Sequence, residues 1–140
     1  MARGIPSEVI HHFQRVPLFE SVSKKGIREI VSAATEVDLP AGKPLVSQGE
    51  HGRELYVILR GTADVKVDGR KVSELAPGDF FGELAFLHPA PRSATVTART
   101  DMRVMVLDSR AMDVIVEREP VVAKRLMEAM ARRIRATEGR

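Results

Sequence analysis

The sequence predicts a mainly β fold, a sandwich or barrel with helices at both ends, and three observations carry that reading. From Thr35 onward, glycines at 42, 49, 52, 61, 69, 78 and 82 punctuate short β-branched runs, the rhythm of short strands joined by tight turns. Before Thr35 and after Asp108 the apolar residues instead recur at helical spacing. The chain has 140 residues and no cysteine, enough for one domain that buries a core without disulfide staples.

The elements follow in order. Pro6 and Ser7 open a short helix over 6–20 that carries Val9, Ile10, Phe13 and Val16 and ends near Pro17. Pro17-Leu18-Phe19 leads to Ser21 or Ser23 as a cap, and Ile27, Ile30, Val31 and Ala34 mark a second amphipathic helix over 23–34. Strands are expected at 36–39, 44–47, 54–60, 62–68, 70–75, 93–98 and 102–108. Asp68-Gly69, between Val67 and Val72, is the clearest hairpin turn. Asp108 or Ser109 then caps a helix with Met112, Ile115 and Val116 up to about residue 118. Pro120 suits the first turn of a last helix, which sets Val122, Leu126, Met130 and Ile134 in one i+4 row with Ala123 and Met127 alongside. With no partner helix left in the sequence, that row is expected on the β-roll, on a ligand or on another molecule.

Charge and composition exclude several classes. The net charge of +3 is uneven: residues 120–140 hold six Lys/Arg against two Glu, and residues 1–119 hold sixteen against seventeen. Lys124, Arg125, Arg132, Arg133 and Arg135 read as a solvated helix face. No apolar run approaches the roughly 20 residues of a membrane span, and no h-region opens the chain. The expectation is a cytoplasmic protein with no membrane contact. His11 and His12 are adjacent on a helix, and His51 and His88 stand on loops. Adjacent helical positions do not share a face, so no metal site is expected. Nucleotide loops of the Walker and G-x-G-x-x-G kinds, H-E-x-x-H and EF-hand loops are all absent. Neither Ser93 nor Ser109 has a base and an orienting acid to make it a nucleophile, which argues against an enzyme.

One stretch, Gly78 to Ala98, reads Gly-Asp-Phe-Phe-Gly-Glu-Leu-Ala-Phe-Leu-His-Pro-Ala-Pro-Arg-Ser-Ala-Thr-Val-Thr-Ala. Pro77-Gly78-Asp79 supplies a sharp turn into it. Gly82 permits a close approach of backbone to ligand. Glu83 to Leu87 is a run of helix formers halted before Pro89, and a helical turn just after a glycine aims unpaired N–H groups at an anion. Arg92 adds a planar cation suited to a phosphate, Ser93 a hydroxyl, and Glu83 a carboxylate that can accept from a sugar hydroxyl. The set suits a sugar phosphate; a buried Glu83–Arg92 ion pair that only ties a loop is the structural alternative.

Phe-Gly-Glu-Leu-Ala followed by Pro-Arg-Ser-Ala-Thr-Val resembles the phosphate-binding cassette of the cyclic-nucleotide-binding domain family, the type found in catabolite activators and in protein kinase A regulatory subunits. The resemblance implies a jelly-roll β-sandwich (double-stranded β-helix) with flanking N- and C-terminal α-helices. The whole chain would then be one domain, 1–140, with N-terminal helices over 6–34, the β-roll over 35–108 with the cassette at 78–98, and hinge and lid helices over 109–137. It also implies that Glu83 takes the ribose 2′-hydroxyl and Arg92 the cyclic phosphate, with Phe81, Gly82, Leu84, Ala85, Pro91, Ser93 and Ala94 completing the cradle.

The ligand so implied is cyclic AMP, with cyclic GMP as a competitor because Ser93 can reach a guanine amino group. A sensor module whose C-terminal helix closes over bound nucleotide, and which signals to a downstream protein, is the leading expectation. Fragments or relatives of catabolite-activator-type regulators share the roll but continue into a helix-turn-helix, which the sequence up to Arg140 does not contain; no nucleic acid contact is expected from this chain. A scaffold with a vestigial pocket is the third reading.

Overall fold

The computed structural model describes residues 7–82 and 90–138, with side chains from Ile10 to Arg132 apart from His12 and residues 83–89. Helix α1 (Ser7–Gln14) and a 3-10 turn (Pro17–Phe19) precede α2 (Lys24–Ala33). Eight strands follow: β1 (Thr35–Leu39), β2 (Pro44–Val46), β3 (Leu55–Arg60), β4 (Ala63–Val67), β5 (Arg70–Leu75), β6 (Phe80–Phe81), β7 (Thr95–Ala98) and β8 (Met102–Leu107). Helices α3 (Ser109–Arg118) and α4 (Pro120–Glu138) close the described chain.

The sequence places these elements to within a few residues, with two differences. In place of one helix over 6–20 stand a helix over Ser7–Gln14 and a separate 3-10 turn over Pro17–Phe19, because Pro17 lacks the amide that would continue the helix. The two-residue strand β6 was not expected, since two residues are too few to show a period. Of the candidate caps, Ser23 accepts from Gly26 N at 3.0 Å and Asp108 from Ala111 N at 2.9 Å. Asp68 and Gly69 both take positive φ, 52° and 80°, the pair of left-handed residues that a two-residue hairpin turn requires.

The strands form two four-stranded antiparallel sheets, ordered β1-β8-β3-β6 and β2-β7-β4-β5. Alternation in β3 and β8 gives the first sheet two apolar faces. Ile58, Met102 and Val104 point into the roll with Ala63, Phe81, Val96 and Ala98. Leu55, Val57, Leu59, Met105 and Leu107 point the other way, into a second core shared with the four described α-helices. One sheet is therefore the common wall of two cores.

That arrangement corrects the expectation that α4 lacks a helical partner. Val122, Leu126 and Met130 are buried in the second core beside Phe19, Met112 and Ile115, while the side chain of Ile134 lies outside the described residues. Arg125 is not a solvated face residue either: its Nη1 donates to Leu18 O at 3.1 Å and to Glu20 O, tying α4 to the 3-10 turn. Val116 and Met127, counted as apolar faces in the sequence, are exposed. Among the described residues no helix is long and apolar enough to cross a membrane, and no group of three metal-ligating side chains gathers.

Candidate functional site

Two segments far apart in sequence set the site. The turn into β6 is pinned at both ends: Gly78 N donates to Ile58 O at 2.8 Å, Ile58 N to Asp79 O at 2.9 Å, and Ala76 N to the Asp79 carboxylate at 2.8 Å. This aims Phe81 into the roll and leaves Gly82 at φ +96°. The second segment is held from β2's far end. Gln48 N donates to Thr95 Oγ1, and the Gln48 amide exchanges two hydrogen bonds with Asp68 at the β4–β5 turn of the same sheet. The loop so fixed clasps Arg92, whose N donates to Glu50 O at 2.8 Å and whose carbonyl accepts from Gly49 N at 2.9 Å. His51 and Pro91 pair beside it as an isolated bridge.

With its main chain clamped, Arg92 turns inward and is 9% exposed, the one buried charged side chain among the described residues. Nη2 donates to the carbonyl of Glu54 at 3.1 Å, and the Glu54 carboxylate stands 3.6 Å from the same nitrogen. The guanidinium carbon lies 5.9 Å from the centre of the Tyr56 ring, a contact of about 0.5–2 kcal/mol. Tyr56 in turn stacks on Phe81, with centroids 4.8 Å apart and planes 3° from parallel. Burial pushes the Tyr56 phenol above its ordinary pKa and the Glu54 charge adds to this, while Arg92 opposes it. Among the described residues, Nη1 of Arg92 is buried and has no hydrogen-bond partner.

An unsatisfied buried donor on a charged group is costly, by more than about 1–3 kcal/mol, so its surroundings are informative. A Cβ built on Gly82 would come within 2.8 Å of that same Nη1 and 2.5 Å of Glu54 O; one built on Gly52 would meet Nη2 at 2.7 Å. Two glycines thus keep open the space in which the guanidinium sits. The arrangement offers a fixed cation and a spare N–H beside a bare backbone, which is what an oxyanion needs.

Of the residues expected to form the cradle, Phe81, Gly82 and Arg92 come together here. Pro91 and Ser93 are exposed and Ala94 is half-buried. Glu83, Leu84 and Ala85 lie outside the described residues, as do the expected helical turn and His88. Sequence reasoning missed Gly52, Glu54 and Tyr56. They sit some forty residues upstream of Arg92 with no local motif; only Gly52, in a loop before an apolar strand, hints at a close approach.

The family model for the cyclic nucleotide-binding domain matches residues 36–119. The chain is 30% identical over 128 residues to a CRP-like cAMP-activated global transcriptional regulator of Mycobacterium tuberculosis, which covers 88% of this chain and 57% of that one. It is 41% identical over 105 residues to a cAMP-dependent protein kinase regulatory subunit of Mycosarcoma maydis, covering 69% of this chain and 20% of that protein. Among solved structures, the catabolite activator protein of Thermus thermophilus superposes with a TM-score of 0.79 at 30% identity, over 87% of this chain and 60% of the other. The chain thus spans little more than half of the bacterial regulator and a fifth of the kinase subunit. The jelly-roll of two four-stranded sheets, the family match over residues 36–119 and the likeness to a transcriptional regulator and a kinase regulatory subunit lead to one conclusion: this chain belongs to the cyclic nucleotide-binding domain family.

Proposed function

We propose that this chain is a sensor domain that binds cyclic AMP, with cyclic GMP as a weaker competitor, and passes occupancy to a partner through its C-terminal helix. The observation that carries the binding is Arg92: a buried guanidinium whose Nη1 has no partner among the described residues and faces the bare backbone of Gly82. A cyclic phosphate would complete both its charge and its hydrogen bonding. Within the proposal, Phe81, Gly82, Pro91, Arg92, Ser93 and Ala94 line the cradle, and Glu83, Leu84 and Ala85 supply the ribose contact and the helical N–H groups. Cyclic AMP is preferred over cyclic GMP because Ser93 bonds the phosphate in this reading and is not spent on a guanine.

Calorimetry with both nucleotides tests this. Removing one partner of a desolvated charge pair costs about 2–5 kcal/mol, roughly thirtyfold to several thousandfold in affinity. Arg92→Ala should therefore abolish measurable binding in a protein that keeps its circular dichroism. A folded Arg92→Ala protein with wild-type affinity overturns the assignment, and a tenfold preference for cyclic GMP overturns the choice of base.

For the helix, the support is a groove of about 430 Å³ between α4 and the cassette's entry turn, lined by Pro17, Leu75, Gly78, Asp79, Phe80, Ala129 and Arg132. A shift of Phe81 and Gly82 on ligand entry would reach α4 through that turn. A second reading, a piece of a catabolite-activator-type transcription regulator, is favoured by the 30% identity to two such proteins over 57% and 60% of their lengths. Both readings share the binding site and differ in the output.

A further inference from the structure

We infer that the Glu54 carboxylate is a built-in competitor for Arg92 that holds cyclic nucleotide affinity down, an inference that rests on the binding function proposed above. Glu54 makes two separate contacts with the guanidinium. Its main-chain carbonyl accepts a hydrogen bond from Nη2 at 3.1 Å, which fixes the position of the arginine. Its carboxylate stands 3.6 Å from the same nitrogen, beyond hydrogen-bond distance, so it contributes charge without setting geometry. Nor is the carboxylate a wandering surface group: Oε2 accepts from the main-chain N–H of Arg53 at 2.9 Å.

Before ligand enters, the pair is electrically neutral. A phosphodiester anion arriving at Nη1 then meets one cation shared with one carboxylate, and the three charges sum to minus one. The carboxylate side chain is 40% exposed, so water screens the repulsion and its effect stays within the range of exposed ion pairs. Removing the charge while keeping the shape should tighten binding by about two- to fivefold. The gain should be equal for cyclic AMP and cyclic GMP, because it acts on the phosphate and not on the base.

The test is calorimetry of wild type and Glu54→Gln with both nucleotides at low and high salt. Glutamine keeps an oxygen for the Arg53 N–H, and Glu54→Thr serves as a second neutral variant should the first fail to fold. The inference expects tighter binding for the neutral variant at low salt and a gain that shrinks as salt rises, since salt screens the charge being removed. Wild-type binding with an unchanged or weaker Glu54→Gln protein overturns this inference alone, and a weaker one assigns the carboxylate to positioning Arg92. Failure of wild type and both variants to bind overturns the inference together with the proposed function. Binding by the neutral variant when wild type shows none supports both.

Discussion

Gly52 and Gly82 border the same guanidinium but are constrained in different ways, and their alanine variants should part company. At Gly82, φ is +96° and the added Cβ would lie 2.5 Å from a main-chain oxygen, Glu54 O. Neither strain nor clash can be relieved by a side chain, so Gly82→Ala should lower stability by about 1–3 kcal/mol as well as impair binding. At Gly52 the nearest atom is Nη2 of Arg92, the end of a long side chain. Gly52→Ala should displace the guanidinium and cost affinity with a smaller loss of stability. Thermal unfolding and calorimetry on the two variants check the contrast. Tyr56 gives a second residue-scale expectation. Its folded-state pKa is raised, by burial first, so the associated stability is present below the usual phenol value of about 10 and is lost as pH rises through the higher folded value. Tyrosinate absorbance should therefore appear at higher pH in the native protein than in urea. Since Arg92 lowers this pKa, Arg92→Ala should delay ionisation further; an earlier onset would contradict the contact.

At the scale of elements, what the sequence made legible and what it did not differ by kind of information. The Asp68-Gly69 hairpin, the caps Ser23 and Asp108 and the turn at Gly78 depend on residues a few positions apart, and all are found in place. The i+4 row of α4 was equally visible, but periodicity says only that a face is buried, never against what. The row offered to a nucleotide base is, from Val122 to Met130, sealed in the helical core on the far side of the sheet from the roll interior. The lid, if it moves as proposed, must either leave that core or move beyond it. Hydrogen exchange separates these: residues 122–130 should be protected without ligand, and added cyclic AMP should raise protection mainly in residues 131–136. Fast exchange through 122–130 in the free protein would show that the helix is undocked before ligand arrives. Truncation near Pro120, which strips Val122, Leu126 and Met130 from the second core, should destabilise the roll as well.

For the whole molecule the common wall matters more than either core. Strands β3 and β8 carry Ile58 and Val104 on one face and Val57 and Met105 on the other, all fully buried. Damage to the helical side should therefore propagate to the roll as one cooperative loss. Leu126→Ala, a large-to-small change at 3% exposure, should cost about 2–5 kcal/mol of global stability. Denaturant unfolding followed by circular dichroism and by tyrosine emission should give coincident transitions; separate ones would mean that the helices and the roll melt as independent units. The fold class followed from local punctuation by glycine, whereas this coupling could not be foreseen, because it depends on which face of a strand meets which layer.

The chain contains one tyrosine and no tryptophan, and that tyrosine is the ring stacked on Phe81 with the Arg92 guanidinium at its other contact. The chain therefore carries a single tyrosyl fluorophore, placed by the fold beside Arg92. No label or engineered probe is needed to watch the site. Once nucleotide absorption is corrected for, a change in tyrosine emission on mixing reports the Tyr56 environment, so stopped-flow optics on the unmodified chain can test whether a ligand enters and leaves beside Arg92.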